Sequence, residues 1–206
     1  MSEVSDRLIA ADLRAGLEGC RIGNEIVVVE EAVSTNDLAW EAAERGAREG
    51  FVVLAEIQTG GRGQYGRRWE SAPYQGLSLS VLLRPAMTLR ESPRLTSLLA
   101  ELVATTITEE TGNATTIKPP NDIYIANRKV AGILVEGRTD RDGSYVAVAG
   151  IGINVNQAVD DFPEELRVTA GSLAMAAGRT ISRMKLAIAL LRNLENQGAA
   201  VCNRRT

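Results

Sequence analysis

The chain contains no histidine, and that absence excludes more chemistry than any other feature of its 206 residues. A Ser-His-Asp triad, a Cys-His pair, a histidine-ligated zinc and imidazole acid–base catalysis are all ruled out. Cysteine is nearly missing too. Cys20 and Cys202 stand far apart in sequence with no other potential ligand beside them, which excludes a redox C-x-x-C pair and a metal cluster and fits a reducing cytosol. No apolar run approaches the roughly 20 residues of a membrane-spanning helix. The start, MSEVSDRLIAADL, carries Glu3, Asp6 and Arg7 where an export signal needs an unbroken apolar stretch. An excess of positive charge is also absent: 23 basic against 26 acidic side chains leave a formal charge of -3. A general nucleic-acid or membrane-surface binder is therefore not expected, and any anion must be caught by a local feature. The expectation is a cytoplasmic protein with no membrane or nucleic-acid contact.

What is present reads as one soluble domain over residues 1–206, large enough to bury a core without disulfides. Residues 1–25 form an N-terminal helix or extension, too short for a helix-turn-helix. Ile26 to Glu30 is a β-branched run. Ser34-Thr35-Asn36-Asp37 then offers N-cap residues ahead of Leu38, Ala39, Ala42 and Ala43, spaced as one helical face that Gly46 and Gly50 close. Phe51 to Ile57 and Leu77 to Leu83 read as strands, and Gly60 to Gly66 as a loop. Leu95, Leu98, Leu99, Leu102, Val103, Thr106 and Ile107 form a long helical stripe that Gly112 stops. Thr115 to Lys118 is a short strand before the turn at Pro119-Pro120. Ile133 to Val135 and Tyr145 to Val155 follow as strands joined by the turn Asp140-Arg141-Asp142-Gly143. A final helix starts at Ser182 and carries Met184, Ala187, Ile188, Leu191 and Leu194 up to Gly198. Strands outnumber helices and hairpins mix with crossovers, so the expected class is α+β with a mixed sheet.

Two clusters carry the chemistry. Residues 58 to 69, Gln-Thr-Gly-Gly-Arg-Gly-Gln-Tyr-Gly-Arg-Arg-Trp, place four glycines and three arginines in twelve positions. Glycines let backbone N–H groups converge on an anion, and arginines add forked positive charge; the plainer alternative is a solvated turn. The second cluster is Lys118-Pro119-Pro120-Asn121-Asp122-Ile123-Tyr124 followed by Lys129-Val130-Ala131-Gly132-Ile133-Leu134-Val135-Glu136. Asn121 and Asp122 suit a sugar or nucleotide edge or a magnesium ion, and each lysine can neutralise an oxyanion. As turn chemistry alone, Asn-Asp after Pro-Pro is also ordinary. Gly150-Ile151-Gly152-Ile153-Asn154-Val155-Asn156 lacks a dinucleotide fingerprint and reads as a strand whose glycines face something bulky.

Together with Ser34-Thr35-Asn36, these motifs resemble the biotin protein ligase family in order and spacing, over about residues 26 to 197. The resemblance implies a mixed sheet of the biotin/lipoate ligase type, akin to class II aminoacyl-tRNA synthetases. It also implies an ATP-dependent enzyme that makes biotinyl-5'-adenylate and passes biotin to a lysine of the biotin carboxyl carrier protein of acetyl-CoA carboxylase. Neither step needs an enzyme nucleophile, in keeping with a histidine-free chain. By this resemblance Lys129, Arg62 and Lys118 are the catalytic cations. Ser34, Thr35, Asn36, Gln58, Gly61, Arg62, Gly63, Gln64, Lys129 and Gly132 contact biotin. Arg62, Arg67, Trp69, Asn121, Asp122 and Asn154 serve the nucleotide, and Asp122 serves Mg2+. Lys129→Ala is expected to spare the fold. Gln64 and Pro119 stand where relatives commonly have arginine and tryptophan, and Gln64 should hold the adenylate's phosphate less firmly. Relatives usually continue into a small β-barrel domain. Ending at Thr206, the chain is expected to lack it, to adenylate better than it transfers, and to leave Leu191 and Leu194 exposed; an oligomer is compatible with such a face. A lipoate ligase-like enzyme and a non-catalytic binder of biotin or its adenylate are the alternatives.

Overall fold

Seven strands form the frame in the order β1-β2-β3-β7-β6-β5-β4, in a computed structural model that describes residues 6–70, 72–140 and 143–197. Strand β1 (Glu25–Ala32) and strand β2 (Phe51–Gln58) are parallel, because helix α2 (Thr35–Glu44) crosses over between them. Strands β3 (Gly76–Leu83), β4 (Thr116–Lys118), β5 (Asp122–Ile125), β6 (Arg128–Thr139) and β7 (Tyr145–Asn154) pair antiparallel. The sheet is mixed and the class α+β, as the sequence predicts. Short helix α1 (Ala10–Gly16), the long α3 (Ser92–Thr111) and α5 (Arg183–Asn196) build the main core with one sheet face. On the other face α2 buries Ala39 and Trp40 against Phe51, Val53, Leu82, Val146 and Val148.

Local chemistry accounts for the ends of these elements. Gly112 takes the left-handed conformation, φ 75°, that closes α3. Ser182 caps α5 by accepting from the Lys185 N–H at 3.3 Å. Ala126 and Asn127, both at positive φ, make the two-residue turn from β5 to β6.

Several expectations are corrected. Strand β5 and helix α4 (Leu173–Ala177) went unpredicted, being too short to show a period, and β6 is far longer than Ile133 to Val135. Leu191 and Leu194 are fully buried. Helix α5 packs into the core between α3 and α1, with Asn193 Nδ2 donating to Thr106 Oγ1 at 3.0 Å and Arg192 Nε to the Gly16 carbonyl at 2.9 Å. Gly198, Cys202, Arg141 and Asp142 lie outside the described residues. No described helix is long and apolar enough to cross a membrane.

Arg183, 1% exposed, is the unusual core residue. Its guanidinium donates to Glu56 Oε2 at 2.5 Å, to the Gly76 carbonyl at 3.2 Å and to Asp6, while Glu56 Oε1 accepts the Leu8 N–H at 2.8 Å. Breaking a buried pair by removing one partner strands the other charge. Arg183→Leu should therefore lower unfolding free energy by about 3–5 kcal/mol, and Arg183→Leu with Glu56→Leu by clearly less, both read from urea denaturation midpoints.

Candidate active site

The floor of the site is made of missing side chains. Gly132 on β6 faces Gly152 on β7, and Gly152 and Gly150 pair with Ser78 and Ser80 on β3. A Cβ on Gly152 would overlap the Trp69 indole, and one on Gly150 the side-chain amide oxygen of Asn36. These glycines do face bulky groups, and they let an indole and an amide lie directly on the sheet.

Lys129 reaches this floor through a bulge. Tyr124 pairs with Lys129 and Ile123 with Ala131, so Val130 is the extra residue. Plain alternation would put Lys129 on the core face with Ala131 and Ile133. The bulge instead buries Val130 and Ala131 in succession and turns Lys129 to the face of Gly132, Leu134 and Glu136. Its Nζ lies 2.6 Å from Asp122 Oδ1, as an ion pair without an aligned hydrogen bond, and 5.7 Å from the centroid of Trp69. Lys129 is thus no bare surface cation: its loss would leave a carboxylate only 16% exposed without a counter-charge.

At the start of α2, Ser34, Thr35 and Asn36 are buried. Gln58 Oε1 accepts the Thr35 N–H at 2.9 Å, and Ser80 Oγ lies 2.7 Å from Thr35 Oγ1 and donates to Asn36 Oδ1 at 2.6 Å. Asn36 Nδ2 donates to Glu136 Oε2 at 3.0 Å, which fixes the orientation of its amide. Across the cleft the Gly-Arg segment closes on itself as a small hairpin. Gly63 N–H donates to the Arg67 carbonyl at 2.7 Å and Trp69 N–H to the Gly61 carbonyl at 2.9 Å, with left-handed Tyr65 and Gly66 at the tip.

The cations of this cleft are largely answered by the chain's own carboxylates. Arg62 grips Asp37 with two hydrogen bonds of 2.7 and 2.8 Å and reaches Glu136 Oε1 at 3.3 Å. Arg68 pairs with Glu70 at 3.1 Å. Arg67 has no ion pair among the described residues. The Arg62 hydrogen bonds hold the Asp37 carboxyl below its ordinary range, and Asp37 in turn raises the Arg62 guanidinium further.

One cleft of about 280 Å³ collects Ser34, Thr35, Asn36, Gln58, Arg62, Gly63, Gln64, Arg67, Trp69, Asn121, Asp122, Lys129 and Gly132. Three expected site residues do not line it. Lys118 lies with its ammonium 3.9 Å from the centre of the Tyr124 ring. Buried Gly61 sits behind the wall, where a Cβ would meet the Trp69 carbonyl. Asn154 is buried and donates to the Gly171 carbonyl at 3.0 Å, bracing the segment whose Gly171 N–H bonds back to the Lys129 carbonyl. Sequence reasoning missed Asp37, Ser80 and Glu136; the buried serines of β3, Gly-Leu-Ser-Leu-Ser-Val-Leu-Leu, were the available signal for Ser80. As for magnesium, Asp122 stands beside an ammonium, and no group of three or more potential ligands occurs among the described residues. That donor set does not make a resident metal site.

The family model of the biotin/lipoate A/B protein ligase family matches residues 28–156, and the chain belongs to that family. Within it, the chain is similar to enzymes that join biotin to protein. It is 41% identical over 177 residues to the bifunctional ligase/repressor BirA of Bacillus subtilis, covering 86% of this chain and 54% of that protein. It is 34% identical over 194 residues to the biotin–[acetyl-CoA-carboxylase] ligase of Mycobacterium tuberculosis, covering 89% and 68%. The biotin protein ligase of Aquifex aeolicus, solved in complex with biotin and ATP, superposes with a TM-score of 0.70 at 30% identity, over 85% of this chain and 72% of that one. The chain spans about half the length of the Bacillus relative.

Two measurements test the geometry. Lys129→Ala should cost about 1–3 kcal/mol of stability by stranding Asp122, and adding Asp122→Asn should recover most of it, as read by thermal melting. The Asp37 carboxyl, depressed in the folded state, supports its contact with Arg62 fully above the ordinary aspartate value, and the contact is lost as pH falls through the lower folded one. In Arg62→Ala the Asp37 titration followed by NMR should move up toward the ordinary range.

Proposed function

We propose that the chain activates biotin with ATP and transfers it to a lysine of a biotin carboxyl carrier protein. The observation that carries this reading is the layout of the cleft. A hydrogen-bonding wall of Thr35, Asn36 and Gln58, braced from behind by buried Ser80, stands on one side, an arginine-rich hairpin on the other, and the Lys129 ammonium on the glycine floor between. A small polar acid fits the wall, and its carboxylate then lies beside the place for an α-phosphate.

In the first step a biotin carboxylate oxygen attacks the α-phosphorus and pyrophosphate leaves. Lys129 neutralises both oxyanions, and Arg62 exchanges Asp37 for phosphate; catalysis is positioning and charge stabilisation. Trp69 offers an aromatic face to the base, Arg67 a free cation to the polyphosphate, and Asn121 and Asp122 a polar edge to the nucleotide. In the second step the carrier's lysine amine attacks the acyl carbon and AMP leaves. No histidine or cysteine is required at either step. The names of the B. subtilis and M. tuberculosis relatives and the ligands of the A. aeolicus structure support this reading.

The test is pyrophosphate release from ATP with biotin or with lipoate, followed by labelling of a biotin carboxyl carrier protein. Release with biotin, little with lipoate, and a drop of at least about 100-fold in Lys129→Ala are expected, in line with losing a transition-state charge partner. Binding of biotin without pyrophosphate release would instead mark a non-catalytic binder.

A further inference from the structure

Glu136 lies at the end of the Lys129–Glu136 motif with no role assigned by the reaction, yet it touches both halves of the cleft. Its Oε2 accepts Asn36 Nδ2 at 3.0 Å and Trp40 Nε1 at 3.2 Å, and its Oε1 accepts Arg62 at 3.3 Å. The two oxygens have different surroundings. On the Oε2 side everything is fixed: Asn36 is 3% exposed and also held by Ser80, and Trp40 is 8% exposed under the guanidinium of Arg138, 4.1 Å from its ring centre. On the Oε1 side the partner can exchange. Arg62 is partly exposed, its bond to Glu136 is the longest of its three, and its main grip is on Asp37.

The donor count shows what the exchange leaves behind. NH1 and one hydrogen of NH2 go to Asp37, while the other hydrogen of NH2 goes to Glu136. An anion that displaces Asp37 meets a two-pronged guanidinium of the geometry arginine uses for phosphate, and that guanidinium is still tethered to Glu136. We propose that Glu136 is a positioning residue that couples the biotin side of the cleft, through Asn36, to the phosphate side, through Arg62. The proposal rests on the reading of the cleft as a biotin and ATP site. A ligand bonded to Asn36 adds a further hold on that fixed side of the carboxylate, and the carboxylate holds Arg62 where the phosphate must bind, so each ligand favours the other.

Glu136→Gln keeps the shape but supplies one acceptor. Its carbonyl goes to the two buried donors, Asn36 and Trp40, and its amide N–H then faces the N–H of Arg62, which cannot accept it. Glu136→Asp keeps the charge but is one methylene too short to serve both sides. The experiment is isothermal titration of the whole chain with biotin, with the non-reacting analogue α,β-methylene-ATP, and with each in the presence of the other. In the wild type each ligand should tighten the other by about fivefold or more. In Glu136→Gln and in Glu136→Asp that factor should fall close to one, while biotin alone binds Glu136→Gln within about threefold of wild type, the scatter expected of a kept hydrogen bond. Coupling retained in both variants, or no coupling in the wild type although both ligands bind, overturns the role of Glu136. Failure of the wild type to bind either ligand overturns instead the reading of the cleft on which the role rests.

Discussion

A fully buried arginine has only one tolerable environment, and Arg183 finds it where three segments of the chain meet. Glu56 from the end of β2, the Gly76 carbonyl at the start of β3 and Asp6 from the N-terminal stretch all accept from it. Those acceptors are separated from Arg183 by 127, 107 and 177 positions in sequence. The ion pair therefore fixes how α5 stands against the sheet, and it does so just behind the residues that matter. Gln58 lies two residues beyond Glu56 on β2, and Ser78 and Ser80 follow Gly76 on β3. Gln58 in the wall of the cleft, and Ser80 behind it, thus stand on strands whose positions a charge on the opposite side of the sheet helps to set.

Inside the cleft the electrostatics follow a different rule. Arg62 and Lys129, the two cations best placed for an anionic ligand, already hold Asp37, Glu136 and Asp122. On the proposed reading, ligand binding at these two cations is then an exchange of one anion for another. The exchange also favours ligands that can outbid a bidentate carboxylate, which a polyphosphate can do and a lone monoanion does poorly. Of the cations lining the cleft, only Arg67 stands without such a partner among the described residues, and on the proposed reading it is the group an approaching phosphate chain would meet with no exchange to make.

Much of this was legible in the sequence wherever a property is local. The stripe from Leu95 to Ile107, the stop at Gly112, the cap at Ser182 and the buried strand at Phe51 each declare themselves within a few residues. The glycines at 150 and 152 and the arginine-rich hairpin were visible as composition. Short elements were not: β5 has four residues and α4 five, too few for either period to show. Asp37 and Glu136 were missed for another reason. Asp37 reads as one more N-cap candidate and Glu136 as the last residue of a strand motif, and only the fold brings Glu136 to Asn36, 100 positions away, and to Arg62, 74 positions away. Leu191 and Leu194 misled in the opposite direction, since an apolar stripe at the end of a chain looks unpartnered until the groove between α3 and α1 is seen to receive it.

The bulge at Val130 bears on how this strand tolerates change. Because the extra residue sits between Lys129 and Ala131, β6 is two segments with opposite parity: the longer one keeps step with β7 and builds the core, and the short one pairs with β5 and, through Lys129, with the segment at Ala170. The two jobs are thereby decoupled, so that the ladder holding the core sets no constraint on which way the ammonium points. One additional peptide unit, with a side chain that itself lies in the core, is what turns a helix-supporting strand into one that aims a charge at the cleft.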